Sequence, residues 1–222
     1  MGYITAETDK DFVKVWERRN GVRHTKLYRA PAELYIEDPR GTHTSYMGKP
    51  LRKITYKNLR DLKTAREQFK DERVQMYESD ISPAIKILSE HYYKDEGEKL
   101  HVTYLDIEND YDLNIGHATM ENPYAPINAI AMYHEWCDRS VVLAVPPPGW
   151  DPSTFDETLK DLSEIRLFDT EEQLLLALLD EIEDSDMLIG WNSNIFDFPY
   201  IGKRLAKVVP GEFRRMSFKD GR

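Results

Sequence analysis

Hydrophobic and polar positions alternate near the start of the chain with the period of two that is typical of a half-buried strand. Residues 12–17 follow this pattern, and residues 22–28 are predicted to form the return strand. Asn20 and Gly21 lie between them, and both residue types tolerate the positive φ angles of a tight hairpin turn. A short strand is then predicted over residues 34–36, followed by a basic loop that reaches Pro50.

The pattern changes to a helical period after this loop. Residues 58–76 predict a helix whose apolar side consists of Leu59, Leu62, Ala65, Phe69 and Val74. A second helix is predicted from Pro83, a favourable first-turn residue, to about Tyr92. The charged segment 94–99 interrupts both periodicities. We therefore predict a small α+β domain over residues 1–98 and a second domain over residues 99–222.

The second domain shows strands first and then alternating helices and strands. Strands are predicted over 101–108, 127–136, 140–145, 165–168 and 187–190, and helices over 171–184 and 199–208. Residues 109–126 are predicted to form a loop, and the prolines after Val145 end the third strand. Thr170 and Gln173 have the spacing of a capping box at the first helix. This order predicts a mixed sheet of the α/β (α+β) class.

Composition narrows the class of protein. The chain has 222 residues, of which 41% are hydrophobic, so that two modest domains with real cores are expected. A single cysteine, Cys137, excludes an intramolecular disulfide and is consistent with a reducing compartment. The amino terminus lacks a signal pattern, and the longest leucine-rich run covers only residues 174–179. We therefore expect a soluble, cytoplasmic protein without a membrane partner.

Although the net charge is −10, parts of the chain are basic. Residues 40–70 carry nine Lys or Arg against two acids, and residues 199–222 carry seven against two. A local basic surface, rather than the overall charge, is what phosphate binding requires. Lys49, Arg52 and Lys53 are therefore candidate contacts for DNA. For residues 57–70 the alternative interpretation is a solvated helix face.

Three acids could form a metal site. Asp106 and Glu108 alternate on a predicted strand and thus share one face, whereas Asp197 follows a later strand. Three carboxylates can hold a pair of divalent ions, which prefer oxygen ligands. The structural alternatives are a solvated sheet edge for the acid pair and a helix cap for Asp197. Asn192 could likewise cap a turn, and Phe196 could belong to the core.

The strings around these acids resemble a known family. Tyr-Leu-Asp-Ile-Glu (104–108) looks like the first exonuclease motif of family B DNA polymerases. Gly-Trp-Asn-Ser-Asn-Ile-Phe-Asp-Phe-Pro-Tyr-Ile (190–201) looks like their second motif. Tyr-Met-Gly-Lys-Pro-Leu-Arg-Lys (46–53) and the helix after it are similar to the amino-terminal domain of T-even-type phage polymerases. The resemblance thus spans nearly the whole chain.

The resemblance implies a ribonuclease-H-like domain that carries a 3′–5′ proofreading exonuclease. Asp106, Glu108 and Asp197 would be its catalytic, metal-binding carboxylates, with two Mg²⁺ or Mn²⁺ ions in the complete site. Asn192 and Phe196 would shape the pocket for a single-stranded 3′ end. DNA, including the template strand, and the remainder of a replicative polymerase would be the partners, in a bacterial or phage-infected cytoplasm.

One departure from the family pattern matters. The family's third exonuclease motif, Tyr-x-x-x-Asp, occurs nowhere in the sequence. We therefore expect the front part of a polymerase: a truncated form, an incomplete gene product or a subunit of a split enzyme. On its own such a chain should be weakly active or inactive, with residues 202–222 mobile or rearranged.

Two alternatives stay open at this stage. The chain could be a non-catalytic module that binds template DNA or RNA through its basic segment. It could also be a free-standing nuclease of the same superfold, with Asp110 or Asp112 supplying a fourth carboxylate.

Overall fold

The structure is a computed structural model that describes residues 2–220. The chain divides into two compact units, which comprise residues 1–98 and 99–222. Within the described residues, no helix is both long enough and apolar enough to cross a membrane.

Unit 1 begins with an antiparallel sheet in the order β1-β2-β3. Its strands are β1 (Thr5–Asp9), β2 (Phe12–Arg19) and β3 (Val22–Arg29). The predicted hairpin is confirmed, with φ angles of 53° at Asn20 and 72° at Gly21. β1 was not predicted because its sequence is mostly polar and lacks alternation; pairing with β2, from Thr5 opposite Trp16, makes it a strand.

A second sheet in unit 1 has four strands in the order β5-β6-β4-β7. They are β4 (Glu33–Glu37), β5 (His43–Thr44), β6 (Pro50–Thr55) and β7 (Met76–Tyr77). The basic segment expected to be a loop up to Pro50 thus contains the short strand β5. The strand β6 was not predicted either, because its basic residues obscure the strand pattern in the sequence. In the structure β6 pairs with β4, with Leu51 opposite Glu37.

Two helices complete unit 1, α1 (Leu59–Asp71) and α2 (Pro83–His91). Asn58 caps α1 by accepting a hydrogen bond from the backbone N–H of Asp61 at 2.8 Å. The helix predicted over 58–76 was too long, because Arg73 takes a left-handed φ of 57° and the following residues join the sheet as β7. The predicted start of α2 at Pro83 is confirmed.

Unit 2 contains the predicted mixed sheet, in the order β11-β10-β9-β8-β12. Its strands are β8 (Val102–Asn109), β9 (Ile127–His134), β10 (Arg139–Ala144), β11 (Glu164–Leu167) and β12 (Met187–Ile189). The pairs β8–β9 and β9–β10 are antiparallel, whereas β10–β11 and β8–β12 are parallel. The predicted α/β class is therefore confirmed.

Helices α3 (Glu171–Glu181) and α4 (Asp197–Val208) are part of the core of unit 2. Thr170 caps α3 by accepting the backbone N–H of Gln173, whereas the Gln173 side chain accepts the N–H of Asp169 at 3.0 Å, one residue before the bond that the predicted capping box requires. The fully buried leucines of α3 are Leu174, Leu175, Leu178 and Leu179. They pack in one cluster with the inward residues of the sheet, such as Ile130 and Leu143.

A buried ion pair connects α3 with α4. The Arg204 side chain donates through Nε to Glu171 Oε1 at 2.7 Å, and only 5% and 11% of the two side chains are exposed. The same Glu171 oxygen accepts the backbone N–H of Ile127, and Arg204 Nη1 donates to the carbonyl of Pro123 at 3.0 Å. The pair therefore holds both helices, the start of β9 and the preceding loop together.

Residues 202–220, expected to be mobile or rearranged, instead complete α4 and form 3₁₀ turns over Pro210–Met216 and Phe218–Asp220. Arg215 pairs with Asp180 of α3 at 2.5 Å. The sequence did not predict this contact with the helix layer of unit 2. The last two residues of the segment, 221 and 222, lie outside the described residues.

We predict that Gly190→Ala destabilises unit 2. A Cβ atom at this position would lie 2.4 Å from the carbonyl oxygen of Leu105 on β8, which is rigid backbone. The expected cost is about 1–3 kcal/mol of unfolding free energy, measured by urea denaturation. Gly211→Ala is the matched control, because no atom lies within 4 Å of its Cβ. Equal stability of the two variants would contradict the prediction.

Candidate active site

The strand β8 presents two acids to solvent. Asp106 and Glu108 are exposed together with Tyr104, whereas the alternating Leu105 and Ile107 are buried under the helices. The expectation that both acids share one face is thus confirmed. Within residues 2–220, no hydrogen bond or ion pair engages either carboxylate. Two unpaired acids on an otherwise well-packed strand are available for a ligand.

A bulge follows the acid pair immediately. Glu108 lies opposite Ala129, but Asn109 lies opposite Ile127, so that Asn128 is left without a partner in the ladder. Its side-chain amide donates instead to Asp110 Oδ1 at 2.7 Å. Bulges bend a strand and redirect its side chains, and they are frequent beside active sites. This bulge ends the regular alternation just after Glu108.

The strand β12 brings the second motif to β8. The two strands run parallel, with Ile189 opposite Tyr104. The next residue, Gly190, lies against the backbone of Leu105, where a larger residue does not fit. The turn after it is closed by Asn192, whose φ is 56° and whose carbonyl accepts the N–H of Ile195 at 2.9 Å. The Asn192 side chain itself is exposed and makes no cap.

Asp197 is the first residue of α4 and is only 5% exposed. Burial raises the pKa of its carboxyl, and the negative charge of Asp106 raises it further; backbone N–H groups of Asp197 and Ile107 act in the opposite direction. No cationic side chain of the residues that the structure describes contributes to this shift. The structure therefore brings one acid of each motif close enough to repel the other. Asp197 does not cap α4, because the cap position belongs to Phe196.

The donor set suits a hard divalent cation only in part. Carboxylate oxygens are the ligands that Mg²⁺ and Mn²⁺ prefer, and among residues 2–220 Asp106 and Asp197 have no cationic partner that would compete. In the part of the chain that the structure describes, however, no three Asp, Glu, His or Cys side chains are gathered closely enough to hold a metal ion. Glu108 shares the face of Asp106 without completing a cluster.

The two acids considered as a fourth ligand have local roles. Asp110 accepts the hydrogen bond from Asn128. Asp112 accepts the backbone N–H groups of Asn114 and Ile115, at 2.7 and 3.1 Å, in a turn of its own. Neither acid joins Asp106 in a metal-binding group.

An aromatic cleft lies beside Asp106. It has a volume of about 550 Å³, and its lining includes Tyr104, Asp106, Tyr133, Ser140, Gly190 and Trp191. Tyr104 and Tyr133 stack with their ring centroids 6.2 Å apart, and Trp191 is 93% exposed. Phe196, in contrast, is half-buried and stacks on Tyr200 at 5.2 Å. Trp191 was not among the predicted site residues. Its position just after a strand and beside the acidic motif could have indicated that it belongs to the site.

The basic candidates of unit 1 are already paired. Lys49 contacts Glu37 at 2.6 Å, Arg52 contacts Asp38 at 2.9 Å, and Lys53 contacts Glu33 at 2.8 Å. Hydrogen bonding to Glu37 raises the pKa of Lys49, and hydrogen bonding to Glu33 raises that of Lys53. Neighbouring carboxylates therefore offset the positive charge of all three residues.

Comparison with known families agrees with this arrangement of strands. A model of the exonuclease domain of DNA polymerase family B matches residues 70–221, which is more than half of the chain. The chain belongs to this family. Its mixed sheet is consistent with the ribonuclease-H-like exonuclease domain, and membership supports nuclease activity and DNA binding. Exonuclease domains of family B polymerases typically use divalent metal ions. A comparison with curated proteins yields no match.

We predict that Asp197→Asn stabilises the metal-free polymerase exonuclease unit. A carboxyl whose pKa is raised above its ordinary 3.8 favours the protonated state in the fold, so its stabilising contribution is present at low pH. That contribution is lost as the pH rises through the folded-state pKa. At neutral pH the variant should gain about 1 kcal/mol in urea unfolding with a chelator present, and the gain should shrink on acidification.

The control for this substitution is Asp169→Asn, which changes an exposed carboxyl of the same unit. It should leave stability unchanged at both pH values. A variant Asp197→Asn that is less stable than the parent at neutral pH would show that the carboxylate is satisfied in the fold, against our interpretation.

Proposed function

We propose that the chain carries the 3′–5′ proofreading exonuclease of a family B DNA polymerase and acts on single-stranded 3′ ends. Asp106, Glu108 and Asp197 are its catalytic carboxylates and the ligands of Mg²⁺ or Mn²⁺. The observation that carries this proposal is the convergence of the first and second motifs, in which Asp197 is close enough to Asp106 for their charges to interact. Family membership supplies the reaction class.

The chain's own residues prepare this site in two ways. Asp106 and Glu108 project from the same face of one strand, which fixes the backbone from which both carboxylates reach a cation. The burial of Asp197 keeps water away from its oxygens and makes the carboxylate costly until an opposite charge arrives. When bound, a pair of divalent ions supplies an activated water and stabilises the leaving 3′ oxygen.

Neighbouring residues hold the substrate. We also assign Asn192 and Phe196 to the substrate pocket, although neither is among the residues that line the cleft beside Asp106. Asn192 closes the turn after Gly190, and Phe196 packs on Tyr200 just before Asp197. Exposed aromatic rings stack on bases of any identity, which suits removal of any wrong nucleotide. Trp191 presents such a ring in the cleft that contains Asp106, and the paired Tyr104 and Tyr133 line the same cleft.

Unit 1 has a separate role in the proposed function. Residues 1–98 correspond to the amino-terminal domain of T-even-type phage polymerases, on the resemblance of residues 46–53 and the helix after them. Their role would be to bind template DNA, in company with the rest of a replicative polymerase.

Digestion of a single-stranded oligonucleotide tests the exonuclease. We expect slow stepwise shortening from the 3′ end with Mg²⁺ or Mn²⁺, abolished by a chelator and by Asp106→Ala, Glu108→Ala or Asp197→Ala. Binding of Mn²⁺, followed by calorimetry, should weaken in the same three variants. Asp169→Ala, which removes an exposed acid elsewhere in unit 2, is the control and should retain both properties.

Either of two results contradicts the proposal. Shortening that survives all three substitutions would place the activity elsewhere or in a contaminant. A folded chain that neither cleaves DNA nor binds Mn²⁺ would favour the second candidate function, a nucleic-acid-binding module without catalysis. The observation in favour of that candidate is that, among residues 2–220, the acids are not gathered into a metal-binding group.

We predict that Trp191→Ala raises the KM for single-stranded DNA with little change in kcat. Loss of one base-stacking contact costs about 1–3 kcal/mol, which is roughly 10- to 100-fold in KM. Stability should be unaffected, since the ring is 93% exposed. Tyr93→Ala, which removes an 80% exposed ring from unit 1, is the matched control. A fall in kcat at constant KM would argue against a stacking role.

A further inference from the structure

The helix α1 carries four cations on its surface: Arg60, Lys63, Arg66 and Lys70. In the region covered by residues 2–220, none of the four forms an ion pair. Lys63, Arg66 and Lys70 are spaced by three and four residues and therefore follow one side of the helix. We call Lys63, Arg66 and Lys70 the α1 cationic face. At 1.5 Å of rise per residue it extends over about 10 Å.

Other cations of the same unit behave differently. Lys49, Arg52 and Lys53 each contact an acid from β4 or the turn after it, and Lys86 of α2 lies 3.5 Å from Glu78. Acids on α1 do not compensate its cationic face in this way. Asp61, for example, is engaged by the Asn58 amide at 3.2 Å. Three cations without an ion pair in the described residues therefore lie along one side of a single helix.

Two residues of the α1 cationic face also line a cleft. Lys63 and Arg66 line a cleft of about 240 Å³ between α1 and the segment that leads into α2. Three acids share the lining, but Glu33 is paired with Lys53 and Glu78 with Lys86, which leaves Asp80. The cleft thus combines two cations that lack an ion pair in the described residues with one such acid, Asp80, a net positive lining that suits an anionic group of phosphate size.

We propose that the α1 cationic face binds the phosphodiester backbone of single-stranded DNA, as a contact separate from the exonuclease site. DNA is the polyanion that family membership already provides as a partner. A row of cations about 10 Å long follows a strand of phosphates without reading its sequence. The proposal also reassigns the basic segment: its DNA contact lies on α1, and the cations of β6 and the preceding loop serve the fold.

Fluorescence anisotropy of a labelled oligothymidylate with the full chain tests this assignment, in a chelator that prevents cleavage. The variant Lys63→Gln/Arg66→Gln/Lys70→Gln should bind about 10-fold or more weakly at low salt. Its plot of log affinity against log salt concentration should lose about 2 of its slope, because each phosphate contact to single-stranded DNA contributes about 0.7.

The matched control is Lys49→Gln/Arg52→Gln/Lys53→Gln, which removes the same net charge from the same unit. It should leave the affinity within about two-fold and the salt slope unchanged. Circular dichroism confirms that both triple variants are folded.

Two outcomes overturn the proposal. Equal loss of DNA affinity in the two triple variants would mean that overall charge alone determines binding. An unchanged DNA affinity of the α1 variant would mean that the α1 cationic face makes no contact with DNA. The test is independent of catalysis. A chain without nuclease activity can still show the difference between the variants, and an active nuclease can fail to show it.

Discussion

The parallel pairing of β12 with β8 is the constraint on which the candidate site depends. The two strands are far apart in sequence, yet Ile189 lies opposite Tyr104, and Gly190 passes against the backbone of Leu105. Only a residue without a Cβ fits there. The turn that follows can therefore close tightly and begin α4 at Asp197, beside the acids of β8. If β12 were displaced, the two acidic motifs would belong to separate surfaces.

The helix layer maintains this geometry from behind the sheet. Glu171 and Arg204 form a buried ion pair that also engages the backbone of Ile127 and Pro123. Removing one partner of such a pair leaves an uncompensated buried charge, which typically costs about 3–5 kcal/mol. The pair thus orients α4, and with it Asp197 at the start of the same helix. Packing of Tyr200 against Phe196 extends this support to the turn before Asp197.

In both units, charged residues that form ion pairs differ in role from charged residues that do not. Lys49, Arg52 and Lys53 have carboxylate partners, so their charges contribute to the local fold. Asp106 and Glu108, and the cations of α1, have no such partners in the described part of the chain. An exposed charge without an ion-pair partner can exchange its hydration for a ligand, so its position indicates binding better than composition does. The net charge of −10 conveys none of this.

The sequence by itself determined the local elements and the chemistry of the acids. Alternation predicted β2, β8 and the shared face of Asp106 and Glu108, because a strand's period depends only on neighbouring residues. The residue types of Asn20 and Gly21 predicted the hairpin turn and, with it, the return strand β3. Long-range pairing decided the rest. The strands β1, β6 and β7 exist because a partner strand completes their hydrogen bonds, and α1 ends early for the same reason. Contacts between residues distant in sequence likewise decide the burial of Asp197 and the ion pairs of the basic segment. They also decide that, within residues 2–220, the cations of α1 form no ion pair. Only the tertiary structure could show such contacts.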